Sequence, residues 1–457
     1  MGSARRWELL PYCCLPLNSR DQIANGKKQE LPIGPISQSM ASGSADEGNE
    51  LNKKVRVAYL VSHPIQYQAP LLRRIAQEPD IDLTVFFGSD FSVRGYTDEG
   101  FGVGVKWDVP LVEGYRHEFL PILRDTASPG VLAPLNYGIF SRLRGGRGAA
   151  RFDLLWVHGY SSLNALQGMA AAKALGIPVV VRAESWLGDR KRSGSTLGVK
   201  RLFFRALRQL VDGALPIGTL NAKYWRHYLG EDFPLFRMPY AVDNAYFQRR
   251  GEEARDGRQE LQRELNLDPS RPVILFASKL QRRKRCGDLV EAYLRLYAEA
   301  GVSPLPYLVI VGDGEERAEL ERQAAKNGAE GIRFCGFRNQ SELPRFFDLT
   351  TVFVLPSQDE PWGLIVNEVM NAGRAVIVSG DVGCQPDLVE DGVEGCVFRA
   401  GDVAGLTEAL RRVLATPETA AAMGQRGLKK IRTWDFEADV RGLREAIAHV
   451  TRKITAG

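Results

Sequence analysis

From Val55 almost to the end of the chain, short apolar runs alternate with helix-period stretches. A first series reads VRVAYLV (55–61), DLTVFFG, DLLWVH, PVVVRAES and GALPIG. A second reads PVILFAS (272–278), PYLVIVG (306–312), IRFCGF (332–337), TVFVLPS (351–357) and RAVIVSG (374–380). Runs this short and uniformly apolar predict strands buried on both faces, and the amphipathic stretches between them predict crossover helices. Together they predict an α/β fold of βα units on parallel sheets.

The pattern breaks at FRMPYAVDNAYFQRRGEEARDGRQE, where Pro239 and a dense run of charge interrupt it. Two Rossmann-like domains joined near residues 239–250 are therefore expected. We take residues 54–247 as the N-terminal domain and 248–437 as the C-terminal domain. Residues 438–457 are expected to form a C-terminal helix packing back towards the first domain. Residues 1–53, with clusters such as ANGKKQELP and SMASGSADEGNELNKK, lack sustained periodicity and are expected to be a disordered tail. In two facing parallel-sheet domains, ligands sit in the cleft at the carboxyl ends of the strands.

Composition narrows the partners. Among 457 residues, 60 Lys and Arg face 55 Asp and Glu, a formal charge of +5 that argues against a nucleic-acid partner and leaves small anions or a membrane surface. The six cysteines form no C-x-x-C pair and no zinc-type spacing with histidine, so reduced thiols in a cytoplasmic protein are expected. No apolar run approaches the roughly 18 residues that span a bilayer. Glu8, Pro11 and Pro16 interrupt the only N-terminal apolar patch, so no signal peptide is expected.

The stretch SQDEPWGLIVNEVMNAG (357–373) carries the first candidate chemistry. It predicts a loop bearing Glu360 after the strand TVFVLP, then a helix starting near Trp362 or Gly363 with Glu368 about two turns in. On one continuous helix, eight residues separate two side chains by roughly 12 Å and rotate them by about 80°, so a shared helical face is excluded. If the loop folds back, the carboxylates can hold hydroxyls at opposite ends of one ligand. Its anionic middle would rest on the helix N-terminus, where Gly363 allows close approach. An acid complementing the helix dipole and a solvated helical glutamate account for the same spacing.

FASKLQRRKRCGD supplies the opposite charge: Lys279, Arg282, Arg283, Lys284 and Arg285 follow a strand end, well placed for phosphates or simply solvated. Gly-rich turns in VGDGEE and GCQPDLVEDGVEG point to a nucleotide-type ligand across the strand ends.

EPWGLIVNE resembles the E-x7-E motif of retaining glycosyltransferases with the two-domain GT-B fold. SKLQRRKR, VGDG, FCGF and VGCQPDLVEDGVEGCVF resemble the corresponding segments of glycosyltransferase family 4. The resemblance implies that Glu360 contacts donor-sugar hydroxyls and Glu368 the ribose. It further implies that Lys279 and Lys284 bind the diphosphate with backbone N–H groups near Gly363 and Leu364, and that the turns at Gly312 and Phe337 border the base. Lys279 stands where the family more often has Arg, which keeps the charge but loses the bidentate fork. Neither metal nor cofactor is implied, the nucleotide sugar being a substrate.

On the acceptor side, SHPIQY places His63 and Gln66 where many relatives have a glycine-rich loop, and His158 stands where the family has a histidine facing the reaction centre. Arg182 and Glu184 end the next strand, as acceptor-side contacts or as an internal ion pair. Residues 190–211 are basic and amphipathic. They predict Val199, Leu202, Phe203, Ala206, Leu207 and Leu210 on one helical face and Arg201, Arg205 and Arg208 on the other. With Phe204 exposed among the arginines, that helix suits an anionic membrane surface, and an ordinary core-packed helix has the same pattern.

D-I-D at 80–82 mimics a metal motif but precedes a strand, and GFGVGVKW (100–107) has the glycines of a dinucleotide fingerprint without its strand and helix. The expected activity is retaining, metal-independent transfer of a sugar from a nucleotide-diphosphate donor to a hydroxyl, lipid-linked or otherwise, in polysaccharide or glycolipid biosynthesis. A nucleotide-sugar epimerase and a non-catalytic sugar-nucleotide-binding subunit are the alternatives.

Overall fold

The computed structural model describes residues 54–98, 100–126, 128–145, 150–188, 194–299, 303–327 and 329–455. The expected N-terminal tail lies outside them. In chain order the strands are β1 (Val55–Val61), β2 (Ile81–Phe87), β3 (Tyr96–Asp98), β4 (Val103–Val105), β5 (Arg116–Phe119), β6 (Ile122–Arg124), β7 (Leu135–Asn136), β8 (Leu154–His158), β9 (Val179–Arg182) and β10 (Gly213–Ala214). The second half adds β11 (Val273–Ala277), β12 (Tyr307–Val311), β13 (Ile332–Phe334), β14 (Val352–Leu355), β15 (Ala375–Ser379) and β16 (Gly395–Phe398).

Two six-stranded sheets result, ordered β10-β9-β8-β1-β2-β5 and β13-β12-β11-β14-β15-β16, with parallel pairing throughout. Each has the doubly wound order in which the chain starts in the middle and winds outward both ways. The switch point opens between β1 and β8 in one sheet and between β11 and β14 in the other. The apolar runs explain the architecture: every residue of β11, β12 and β15 is buried, because helices cover both faces of the second sheet. β3 and β4 form a separate antiparallel hairpin, as do β6 and β7.

The helix Phe436–Thr455 leaves the second half and returns to the first. Its Val440, Leu443, Ala446, Ile447 and Val450 join the core built on Val57, Tyr59, Leu72 and Val85. Arg444 of this helix binds Asp80 at 2.8 Å, while Asp82 pairs with Arg56 and Arg116. Both aspartates of the D-I-D stretch are therefore tied up in ion pairs at the start of β2.

The helix Gly194–Leu210 corrects the sequence expectation. Phe204 is buried (1% exposed) and stacks on Tyr228 at 4.5 Å, whereas Val199 and Leu202 are 71% and 70% exposed. Both faces carry apolar residues, and the neighbouring helix Thr219–Leu229 decides between them by offering Tyr224, Trp225 and Tyr228 to Phe204.

Candidate functional site

The two sheets face each other across a cleft of about 970 Å³, at the large end of the range for small-molecule sites. Of the residues singled out from sequence, His63, Gln66, His158, Glu184, Lys279, Lys284, Gly312, Phe337, Glu360, Gly363, Leu364 and Glu368 line it. Arg182 does not.

β14 ends at Leu355, and the chain then turns through Pro356 and Pro361 into the helix Leu364–Asn371. Gly363 caps that helix with φ +90°, and a Cβ there would lie 2.9 Å from Leu355 and 3.0 Å from Val382. Only glycine adopts this backbone without strain, and the helix N-terminus is left open towards the cleft. Gly312, at the end of β12, has φ +136°, and its Cβ would fall 1.9 Å from the Ser278 carbonyl. The two turns thus approach closely at the carboxyl ends of adjacent strands β11 and β12.

Lys284 and Glu360 meet inside the cleft, the ammonium hydrogen-bonding Oε2, with each side chain only 10% exposed. Arg283 stands 3.6 Å from the same oxygen. Burial pushes the Glu360 carboxyl up, but Lys284 and Arg283 outweigh it and hold the group below its usual range. Burial pulls Lys284 down against the attraction of Glu360. Glu368 is buried on the fifth position of its helix, and burial raises its carboxyl to about 8. The solvated alternative for this residue does not hold.

The N-terminal wall is a hydrogen-bonded cluster. Tyr59 donates to Gln68, whose amide nitrogen lies 2.9 and 3.0 Å from the two ring nitrogens of His158. His158 Nε2 is 3.9 Å from Glu184 Oε1, which accepts from Tyr67 at 2.7 Å and from Tyr240. Burial, with Arg182 and His63 nearby, holds the His158 imidazole down to about 3. It is a neutral hydrogen-bonding group at neutral pH. His63, lowered by burial to about 4, faces Ser62 Oγ at 2.8 Å.

Arg182, expected on the acceptor side, turns away from the cleft. Its guanidinium binds the carbonyls of Met238 and Pro239 at 3.1 and 2.7 Å and Asp439 at 3.0 Å, with the side chain 1% exposed. The ion pair is internal, but its partner comes from the C-terminal helix and not from Glu184. It fastens the interdomain crossing to that helix.

Sequence reasoning passed over Tyr67, the last residue of SHPIQY, Gln68 directly after it, and Tyr240 beside the interdomain proline. It also set aside GFGVGVKW, yet Phe101 and Trp107 line the cleft. Charge, donors and shape converge here on an elongated ligand. Cations and a helix end suit its anionic middle, and carboxylates suit hydroxyls on either side.

The family model described as "Glycosyl transferases group 1" matches residues 257–430. The GDP-mannose-dependent alpha-(1-6)-phosphatidylinositol monomannoside mannosyltransferase of Mycolicibacterium smegmatis is 30% identical over 276 residues, covering 57% of this chain and 69% of that one. The lipopolysaccharide core biosynthesis glycosyltransferase LpsE of Rhizobium meliloti is 30% identical over 164 residues, 36% of this chain and 45% of that one. The chain thus spans less than half the length of the first curated relatives it matches. Among solved structures, Anabaena HepE in complex with UDP and glucose superposes with TM-score 0.63 at 17% identity, covering 86% of this chain and all (100%) of that one. Sucrose-phosphate synthase from Thermosynechococcus elongatus gives 0.60 at 19% identity, covering 88% and 100%. At these identities the likeness shows the two-domain GT-B fold.

Proposed function

This chain belongs to the group 1 glycosyl transferases, and from that premise we propose that it moves a sugar from a nucleotide-diphosphate donor to a hydroxyl acceptor with retention at the anomeric carbon, as in glycosyltransferase family 4. The observation that carries the proposal is the meeting of Lys284, Lys279, Glu360, Glu368 and the open helix end in one cleft. In this reading EPWGLIVNE acts as the E-x7-E motif. Glu360 holds donor-sugar hydroxyls, Glu368 holds the ribose, and the turns at Gly312 and Phe337 border the base.

Retention follows if acceptor and leaving group occupy the same face of the sugar. The bond from the anomeric carbon to the diphosphate oxygen breaks as the acceptor oxygen bonds to that carbon, and the acceptor's proton passes to the departing diphosphate. Lys279, Lys284 and the N–H groups at Gly363 and Leu364 stabilise the charge that develops, in the part a metal ion plays elsewhere. Neutral His158, steadied by Gln68, hydrogen-bonds at the reaction centre, with His63, Gln66 and Glu184 shaping the acceptor side. Domain closure would exclude water and limit hydrolysis.

Donor names among relatives, GDP-mannose for the mannosyltransferase and UDP with glucose for HepE, support a nucleotide-sugar donor. Phosphatidylinositol monomannoside and lipopolysaccharide core in relatives' names support a glycolipid or polysaccharide acceptor. The family match favours transfer over epimerisation or a non-catalytic binding role. No helix among the described residues is long and apolar enough to cross a membrane. A cytoplasmic protein attached peripherally to an anionic membrane is part of the same proposal, now supported by exposed Val199 and Leu202 beside exposed Arg201 and Arg205. The test is a binding screen of nucleoside diphosphate sugars, followed by transfer to membrane lipid extracts with and without EDTA. Transfer that depends on Glu360 and survives EDTA supports the reading, and conversion of donor to an epimer without acceptor contradicts it.

A further inference from the structure

The hairpin β3–β4 belongs to the N-terminal half but ends on the C-terminal half. Asp98 Oδ1 lies 2.6 Å from the Lys279 ammonium, and the same oxygen accepts the backbone N–H groups of Gly100 and Phe101 at 2.9 and 3.0 Å. The Phe101 ring packs edge-on against Phe337 at 4.8 Å. Beyond the hairpin, Asn339 donates to the Lys106 carbonyl at 2.8 Å and Ser341 hydrogen-bonds Asp108. Gly100 fits so closely that a Cβ would lie 2.7 Å from the Lys279 side chain. Gly100 of GFGVGVKW thus serves a strap whose Asp98, Phe101 and Trp107 line the cleft.

These contacts fall on the groups that the proposed function gives to the donor: Lys279 on the diphosphate and Phe337 on the base. A carboxylate this close to an ammonium neutralises much of its field, and a diphosphate at the same ammonium would face that carboxylate as a like charge. We propose that the β3–β4 strap is a donor-displaced clasp, in which Asp98 stands in for the diphosphate on Lys279 and Phe101 covers the base end until an entering donor lifts both away. The inference rests on the donor site proposed above and adds a residue that competes with the substrate. Donor entry then breaks the Asp98–Lys279 pair and the Phe101–Phe337 contact together, which couples occupancy of the C-terminal half to freedom of the N-terminal half.

The test uses inorganic pyrophosphate alone, which needs neither base nor sugar. By calorimetry, Asp98→Asn is expected to bind pyrophosphate about twofold to fivefold tighter than the wild-type chain, and Lys279→Ala more weakly. In the wild-type chain, pyrophosphate is expected to raise hydrogen exchange in residues 96–98 and 100–105, a readout that stands even if Asp98→Asn folds poorly. Equal or weaker binding by a folded Asp98→Asn, unchanged or slower exchange in the strap, or no pyrophosphate binding at all overturns the clasp. If no sugar nucleotide supports transfer while Asp98→Asn still binds pyrophosphate more tightly, the transferase reading fails and the clasp stands.

Discussion

Lys284 and Glu360 form a buried ion pair across the strand-end loops of β11 and β14, each side chain 10% exposed. Removing Lys284 leaves Glu360 buried with only the longer Arg283 contact at 3.6 Å to offset its charge. Lys284→Ala is therefore expected to lower unfolding free energy by about 3–5 kcal/mol and to weaken donor binding at least about tenfold. Denaturant melts and calorimetry check both. The double variant Lys284→Ala with Glu360→Ala should recover part of the stability, and strict additivity would contradict a coupled pair.

Glu368 gives a pH signature of definite sign. Its folded value of about 8 lies above the ordinary 4.5, so the native state holds a proton that the unfolded chain has lost between those values. Stability contributed by this group is present at acid pH and is lost as pH rises through 8. Glu368→Gln should melt higher than wild type at pH 8 to 9, with the advantage vanishing near pH 4. A melting difference independent of pH would show that Glu368 is not held protonated.

His158 runs the other way. With a folded value of about 3 against 6.5, it binds fewer protons folded than unfolded, so its contribution is lost as pH falls below 6.5. His158→Gln should narrow its stability deficit between pH 7 and pH 4. Transfer kinetics should show no ionisation near 6.5 that this substitution removes.

The strand–Pro–Gly–helix course of EPWG was legible because its signals are local: an apolar run, two prolines and a glycine that the backbone demands. Glu360 pairing with Lys284 was not, because those residues are 76 positions apart and meet only when β11 and β14 become neighbours. Arg182 was placed correctly at a strand end, yet its course was set by Asp439, 257 positions away. Periodicity gave an amphipathic stretch at 190–211, but not which apolar face would find the aromatic side chains of the next helix. GFGVGVKW carried no readable signal, since its role comes from crossing to the other domain.

Arg182 and Asp439 offer a test outside the cleft. Asp439→Ala should destabilise the protein by about 3–5 kcal/mol, because the buried guanidinium then keeps two backbone carbonyls and the Tyr240 ring but no counter-charge. The fraction that remains folded should transfer sugar at the wild-type rate. A stable but inactive variant would move Asp439 into the functional site.

The exposed pair Val199 and Leu202 bears on the membrane proposal. Val199→Glu with Leu202→Glu should reduce co-sedimentation with anionic vesicles severalfold and leave donor binding in solution unchanged. Unaltered vesicle binding would remove this helix from the attachment surface.

Retaining transfer at the Glu360–Lys284 cleft is tested most directly by following the anomeric proton of the first product by NMR, starting from a donor of known anomeric configuration. The expected result is a product of the same configuration, formed by the wild-type chain and lost with Glu360→Ala. A product of inverted configuration, or undiminished transfer by Glu360→Ala, would contradict it.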